Sequence, residues 1–183
     1  MKVIVAVTGA SGAIYARQCL EQLSKSAEVE QIALIVSDKG REVLAYEGVE
    51  LPSSDKIVRY DNDDMFSSVA SGSAAWDVMI IVPASMGSVG RIASGVSLSL
   101  IERAADVMLK ERRRLIIVVR ETPYSLIHLR NMTSLTEAGA IILPASPSFY
   151  SHPADLEQLT MTVVERVISL TGISMPHYSF QGR

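Results

Sequence analysis

The sequence is poor in cysteine. It holds one among its 183 residues, Cys19, so no disulfide can form within the chain. A single thiol is typical of a protein from a reducing compartment. Cys19 also falls on an apolar helical stripe with Ala16, Leu20 and Leu23, so we expect a small core residue rather than a nucleophile.

Long apolar runs and a surplus of positive charge are also missing. Five apolar residues, Val3–Val7, stand between Lys2 and Thr8, too few for the core of a signal peptide, and no later run approaches the length that crosses a membrane. The net charge is −3, which argues against a nucleic-acid-binding protein. We therefore expect a cytoplasmic protein with neither a nucleic-acid nor a membrane partner.

Two common kinds of site lack their motifs. The histidines at 128, 152 and 177 are far apart and no Cys/His spacing fits zinc, so we expect no metal site. The dinucleotide fingerprint would need glycines at 9, 11 and 14, but Ser11 and Ile14 stand there, and the P-loop Gly-Lys-Ser/Thr is absent. No tyrosine has a lysine four residues later, which removes the base of a short-chain dehydrogenase. The TGASG loop is then either a tight turn or a mononucleotide loop.

The sequence does contain a regular alternation of strands and helices. Apolar runs predict six strands: Val3–Val7, Ile32–Val36, Ile57–Tyr60, Val78–Val82, Leu115–Val119 and Ala140–Leu143. Periodicity predicts helices after Gly12 and Ser37-Asp38, over Gly95–Arg113 with Leu98 on the core face, over Ser125–Glu137, and through Leu156–Leu170. This alternation favours an α/β fold, a three-layer doubly wound parallel sheet, as one domain over 1–172 with an irregular arm over 173–183.

Small polar residues follow the predicted strands. In a parallel sheet the ligand binds at the carboxyl ends of the strands, where glycines and hydroxyls let backbone N–H groups approach a phosphate. Ser85 and Ser88 there are either an ordinary helix cap or an anion site. The residues at this edge are Gly9–Gly12, Ser37, Pro83–Ser88, Arg120–Thr122 and Pro147–Tyr150.

Arg120 and Glu121 stand side by side at the end of the strand Leu115–Val119. Two charges at the end of a buried strand are costly unless they are paired or meet a charged ligand. One interpretation is a structural ion pair with neighbouring loops. The other places Arg120 on an anion and makes Glu121 a proton donor or acceptor.

Several segments carry a resemblance to a known family. The strings VTGASGAIYARQCLEQL, VPASMGSVGRIASGVS, LIERAADVMLKERRRLIIVVRETPYSLIHLRNM and GAIILPASPSFYSHP follow one another as in the UbiX-like flavin prenyltransferases. The similarity runs from Val3 to about Gly172 and implies a Rossmann-like flavoprotein fold. Members of the family were once labelled aromatic-acid or polyprenyl-hydroxybenzoate decarboxylases.

The resemblance implies a metal-independent prenyltransferase. Such an enzyme joins the dimethylallyl group of dimethylallyl phosphate to N5 and C6 of reduced FMN and so makes the prenylated FMN of UbiD-type decarboxylases. It further implies a homo-oligomer, typically a dodecamer, with a flavin reductase as a functional partner. We expect Arg166, alone or together with Tyr150, to complete the donor site of an adjacent subunit.

The resemblance also implies residue roles. Glu121 and Ser11 would shuttle protons, and Lys110 would help to stabilise the departing phosphate. Lys110, Tyr150 and Arg166 would bind the prenyl phosphate. FMN would be bound by Gly9, Ala10, Ser11, Ser37, Ser85, Met86, Gly87, Ser88 and Arg120.

Two departures from the family pattern and two rival functions stay open. Ser88 stands where many members have threonine, and Phe180 where many have tryptophan. The rivals are an FMN-dependent decarboxylase of the cysteine-decarboxylase flavoprotein type and an FMN carrier. The segment LKERR…RETP counts against the decarboxylase, because decarboxylation of a peptidyl cysteine does not need a cationic cluster.

Overall fold

The computed structural model describes residues 1–175. Its six strands lie within two residues of their predicted bounds. In chain order the elements are β1 Lys2–Val7, α1 Ala13–Lys25, β2 Gln31–Val36, α2 Asp38–Tyr46, β3 Ile57–Tyr60, two short 3₁₀ turns (Ser68–Ala70 and Gly72–Ala74), β4 Val78–Ala84, α3 Met86–Ala93, α4 Leu100–Lys110, β5 Arg114–Val119, α5 Leu126–Glu137, β6 Ile141–Pro144 and α6 Leu156–Thr171.

The strands form one parallel sheet in the order β3-β2-β1-β4-β5-β6. The central strands β1, β4 and β5 are apolar and almost wholly buried, because helices cover both faces of the sheet. The strand order reverses between β1 and β4, and at such a switch point a crevice opens beyond the carboxyl ends of the strands. The predicted doubly wound α/β fold is confirmed.

Two apolar layers hold the helices to the sheet. One contains α1 and α6 against alternate residues of the central strands, and the other contains α3, α4 and the buried Leu135 of α5. Cys19 of α1 is fully buried in the first layer, and burial raises the pKa of its thiol to about 12. The thiol is therefore neutral at physiological pH, in agreement with its predicted role in the core.

The helix predicted over Gly95–Arg113 is longer at both ends than the observed helix α4, Leu100–Lys110. Gly95 adopts a positive φ of 69° after α3, and α4 begins only at Leu100, where the side chain of Ser99 caps it. Leu98, predicted on the core face, is 82% exposed in the connecting loop. The helix ends at Lys110, and Arg112 takes a left-handed φ of 54°.

The carboxyl-terminal arm is described only in its first residues. Ile173 is buried against the layer that contains α1 and α6. Residues 176–183, and with them Phe180, lie outside the described residues. Within residues 1–175, none of the helices combines the length and the apolar character needed to cross a bilayer.

Candidate functional site

A cleft of about 520 Å³ opens at the switch point between β1 and β4. The hydroxyl of Thr8, just after β1, donates to the carbonyl of Pro83 at 2.9 Å and accepts from the N–H of Ser85 at 2.8 Å, which fixes the two strand ends together. Four residues of the predicted FMN set line the cleft: Gly9, Ser37, Ser85 and Ser88. Its other walls are formed by Asp38, Lys39, Asn62, Arg91, Leu98, Ser99, Ile101 and Glu102.

Two helices begin at this cleft. The hydroxyl of Ser37 caps α2 by accepting from the N–H of Gly40 at 3.0 Å, and that of Ser85 caps α3 by accepting from the N–H of Ser88 at 3.4 Å. The hydroxyls of Ser85 and Ser88 lie 3.2 Å apart. The serines are therefore helix caps, and the same helix starts offer N–H groups and partial positive charge of the kind that binds phosphate.

The start of α1, in contrast, is already occupied by a carboxylate. The N–H groups of Gly12 and Ala13 donate to the carboxylate of Glu47 at 2.9 and 2.8 Å, and the hydroxyl of Ser11 lies close enough to help lower the pKa of this carboxyl. Dinucleotide-binding folds place a pyrophosphate at this helix start. With the start of α1 occupied, the starts of α2 and α3 are the helix ends at this cleft that are able to accept a phosphate.

Glu47 is a candidate site residue that the sequence did not indicate. Burial raises the pKa of its carboxyl, but the hydrogen bonds from Ser11, Gly12 and Ala13 and the charge of Arg120 outweigh this and lower the pKa below 4.5. The residue lies 35 positions from Gly12, at the end of α2, so no local pattern could have revealed the contact.

This contact predicts a pH-dependent part of the stability. Because folding lowers the pKa of Glu47, its contribution is present above pH 4.5 and is lost as the pH falls through the folded-state pKa. For a partly buried group at a helix start, we expect Glu47→Gln to lower the free energy of unfolding by about 1 kcal/mol near neutrality. Denaturant titrations at neutral and acidic pH measure this difference. A difference that did not shrink in acid would contradict the electrostatic explanation.

Arg120 lies beside the same loop. Its Nε donates to the carbonyl of Ser11 at 3.2 Å, and its charge partly offsets the burial that raises the pKa of Tyr15. Glu121 is exposed, contrary to the expectation of a buried pair, and its carboxylate accepts from the N–H of Thr122 at 2.9 Å. Neither charge forms an ion pair within residues 1–175, so the structural ion-pair interpretation finds no support there.

Lys110 is not brought to Arg120 within one chain. It ends α4 and pairs with Glu111 near the start of β5, where Arg114 aligns with Val78. Arg120 follows the opposite end of β5. The six residues of β5 span roughly 20 Å. The backbones of Lys110 and Arg120 are therefore separated by about the length of this strand.

Tyr150 and Arg166 lie on another flank, outside the cleft between β1 and β4. Both are exposed. The loop that carries Tyr150 follows β6 and is bonded to α6, because the N–H of Ser148 donates to the hydroxyl of Thr162 at 3.0 Å. Arg166 lies one turn further along α6 on the same face. Both predicted donor residues therefore belong to the flank formed by α6 and the loop before it.

Comparison with known proteins identifies the family. The model of the Flavoprotein family matches residues 1–172. The flavin prenyltransferase UbiX of Methanocaldococcus jannaschii is 44% identical over 176 residues, 94% of each chain. UbiX of Pseudomonas aeruginosa is 39% identical, over 94% of this chain and 90% of the relative. The chain belongs to the flavin prenyltransferases.

Solved structures agree with this membership. AnUbiX (PadA1), crystallised in complex with FMN and dimethylallyl pyrophosphate, superposes with a TM-score of 0.93 at 40% identity, over 100% of this chain and 98% of that one. A dodecameric FMN-dependent UbiX-like decarboxylase from Escherichia coli O157:H7 gives 0.92 at 35% identity, over 100% of both. A PPC decarboxylase, at 0.69 and 17% identity over 92% of this chain and 97% of that one, shares the fold alone. The predicted family and flavoprotein fold are both confirmed.

Proposed function

We propose that this flavin prenyltransferase joins a dimethylallyl group to N5 and C6 of reduced FMN, with release of the phosphate that carried it. The observation that carries the proposal is the hydroxyl-lined cleft with two helix starts, in a chain that superposes on AnUbiX over its whole length. The phosphate ester is dimethylallyl phosphate or the pyrophosphate found in that relative.

The residues of the cleft fit FMN in one direction. The starts of α2 and α3, with Ser37, Ser85 and Ser88, suit its phosphate. Glu47 repels an anion from the start of α1, so the ring system belongs at the Ser11 and Arg120 end. This direction agrees with the roles expected for Gly9, Ala10, Met86 and Gly87 in the two loops.

Bound reduced FMN supplies the two nucleophilic positions, N5 and C6. The carbon–oxygen bond of the prenyl phosphate breaks as the bond to N5 forms, and the phosphate leaves with the electron pair. Lys110, Arg120 and Arg166 provide positive charge for the leaving phosphate, and Glu121 or Tyr150 gives it a proton. The double bond of the N5-attached prenyl group then takes up a proton, in balance with the one lost from N5, and its tertiary carbon becomes electrophilic. That carbon bonds to C6, and Glu121 together with Ser11 accepts the proton that C6 releases.

The contact between Ser11 and Glu47 adds an acceptor to this proton path. The hydroxyl of Ser11 lies beside the carboxylate of Glu47. Because the pKa of this carboxyl is lowered, Glu47 stays ionised near neutrality. An ionised carboxylate bonded to a hydroxyl raises the basicity of that hydroxyl oxygen. Ser11 can therefore act as a relay, taking up the proton released at C6 as it gives its own to Glu47.

We propose that the active form is a homo-oligomer, because one chain separates Lys110 from Arg120 by the length of β5. A lysine that acts on the donor must then come from a neighbouring subunit. The E. coli relative is dodecameric, and exposed apolar side chains at the start of α5 and on the loop after β6 are available for subunit contacts: Leu126, Ile127 and Phe149. We further propose a cytoplasmic setting, with a flavin reductase supplying reduced FMN and a UbiD-type decarboxylase using the product.

The test is the mass of the flavin after anaerobic turnover with reductant and a dimethylallyl donor. We expect FMN enlarged by one five-carbon prenyl unit, with or without a metal chelator. Recovery of unchanged FMN from a protein that binds it tightly would indicate a carrier. Loss of carbon dioxide from a peptide with a carboxyl-terminal cysteine, with oxidised FMN and no prenyl donor, would indicate a decarboxylase.

A further inference from the structure

One charged pair in the cofactor cleft has no assigned role. Glu102, on the first turn of α4, is 4% exposed and is the one acidic or basic residue that is buried among residues 1–175. One of its carboxylate oxygens accepts from the Nε of Arg91 and the other from the N–H of Leu98 at 2.9 Å. A carboxylate held by two donors fixes the position of the arginine.

The guanidinium of Arg91 reaches the start of its own helix. Arg91 lies in the last turn of α3, and its side chain runs back so that Nη2 lies 3.4 Å from the hydroxyl of Ser88. A methyl group added at Gly87 would lie 3.4 Å from Nη1. Helical side chains lean towards the amino-terminal end, which explains this reach. The cation is therefore placed over the loop Ser85–Ser88.

The hydrogen bonds of Arg91 leave its outer edge for a ligand. Glu102 uses Nε, Ser88 accepts weakly from Nη2, and Nη1 has no protein acceptor among residues 1–175. The edge formed by Nη1 and Nη2 is the one that binds a phosphate with two parallel hydrogen bonds. Lys39, the other cation of the cleft, already pairs with Glu42 at 2.8 Å.

We propose that Arg91 binds the phosphate of FMN and that Glu102 is a positioning residue that holds it there. This inference rests on the proposed function and deepens it by naming a source of selectivity for FMN over riboflavin. The cation, the hydroxyls of Ser85 and Ser88 and the start of α3 together form a phosphate site. Riboflavin lacks the group that this site binds.

The test compares the dissociation constants of FMN and riboflavin, measured by quenching of flavin fluorescence. Arg91→Met/Glu102→Gln removes both charges without leaving a buried carboxylate unpaired, and the glutamine oxygen can still accept from Leu98. We expect FMN to bind about 10- to 100-fold more weakly, while riboflavin changes by less than about threefold. Arg91→Lys keeps a charge but loses the fork, so its loss should be smaller and again confined to FMN.

A matched control is Arg17→Met/Glu157→Gln, which removes another arginine–glutamate pair that does not line the cleft and should change neither dissociation constant. Equal weakening of FMN and riboflavin binding by the Arg91 variants would show a structural role and overturn the inference. Unchanged binding of both flavins would also overturn it. Either result leaves the proposed function standing. If the wild-type protein bound neither flavin, the proposed function would fail together with this inference.

Discussion

Glu121→Gln is expected to slow prenyl transfer by roughly 10²–10⁴-fold, the usual scale for a positioned acid or base. FMN binding should change little, because glutamine keeps the shape of glutamate and the helix starts that suit the phosphate of FMN lie elsewhere, at Ser37 and Ser85. The fold should not change. The carboxylate is exposed, forms no ion pair in the described part of the chain, and accepts one local hydrogen bond from Thr122 that an amide oxygen can keep. The measurement is the single-turnover rate of flavin prenylation under anaerobic conditions.

Two further variants make this result specific. Glu137→Gln removes another exposed carboxylate, at the end of α5, and should leave the rate unchanged. Glu47→Gln tests the alternative proton path, because the hydroxyl of Ser11 lies close enough to Glu47 to lower its pKa. A near-normal rate for Glu121→Gln with a slow Glu47→Gln would transfer the acid–base role to Glu47.

The sheet could be predicted from the sequence because its strands are buried on both faces. Each central strand is a continuous run of β-branched and aliphatic residues bounded by polar turns, as in Val3–Val7 and Leu115–Val119. Helix ends depend on single capping residues, and the prediction passed over Ser99 and Gly95 because the apolar period continues through them. Leu98 fits that period but lies in a loop.

The candidate site was predictable where its residues directly follow a strand. Parallel strands bring their carboxyl ends to one edge, so Gly9, Ser37 and Ser85 could be grouped before any geometry was known. Arg91 and Glu102 lie on helices and Glu47 caps the end of one, and their roles come from contacts across the fold. On helices, charges of this kind are usually solvated, so nothing local distinguishes these three from the rest.

The position of Lys110 leads to the other large effect. Lys110→Ala and Glu121→Gln should each inactivate the enzyme, and a mixed oligomer of the two variants should regain activity. If each site takes Glu121 from one chain and Lys110 from its neighbour, random exchange gives both native residues to about a quarter of the sites. The expected result is therefore about a quarter of the wild-type rate, measured after reversible dissociation of differently tagged subunits.

The same design with Arg166→Ala in place of Lys110→Ala tests the second donor residue, which lies on the flank formed by α6 rather than at the amino ends of the strands. Each variant mixed with its own tagged copy is the control and should stay inactive. Verified exchange without recovery would place Lys110 and Glu121 in the site of a single chain. That outcome would require α4 and β5 to rearrange, because the parallel pairing of β4 with β5 places these residues beyond opposite ends of one strand.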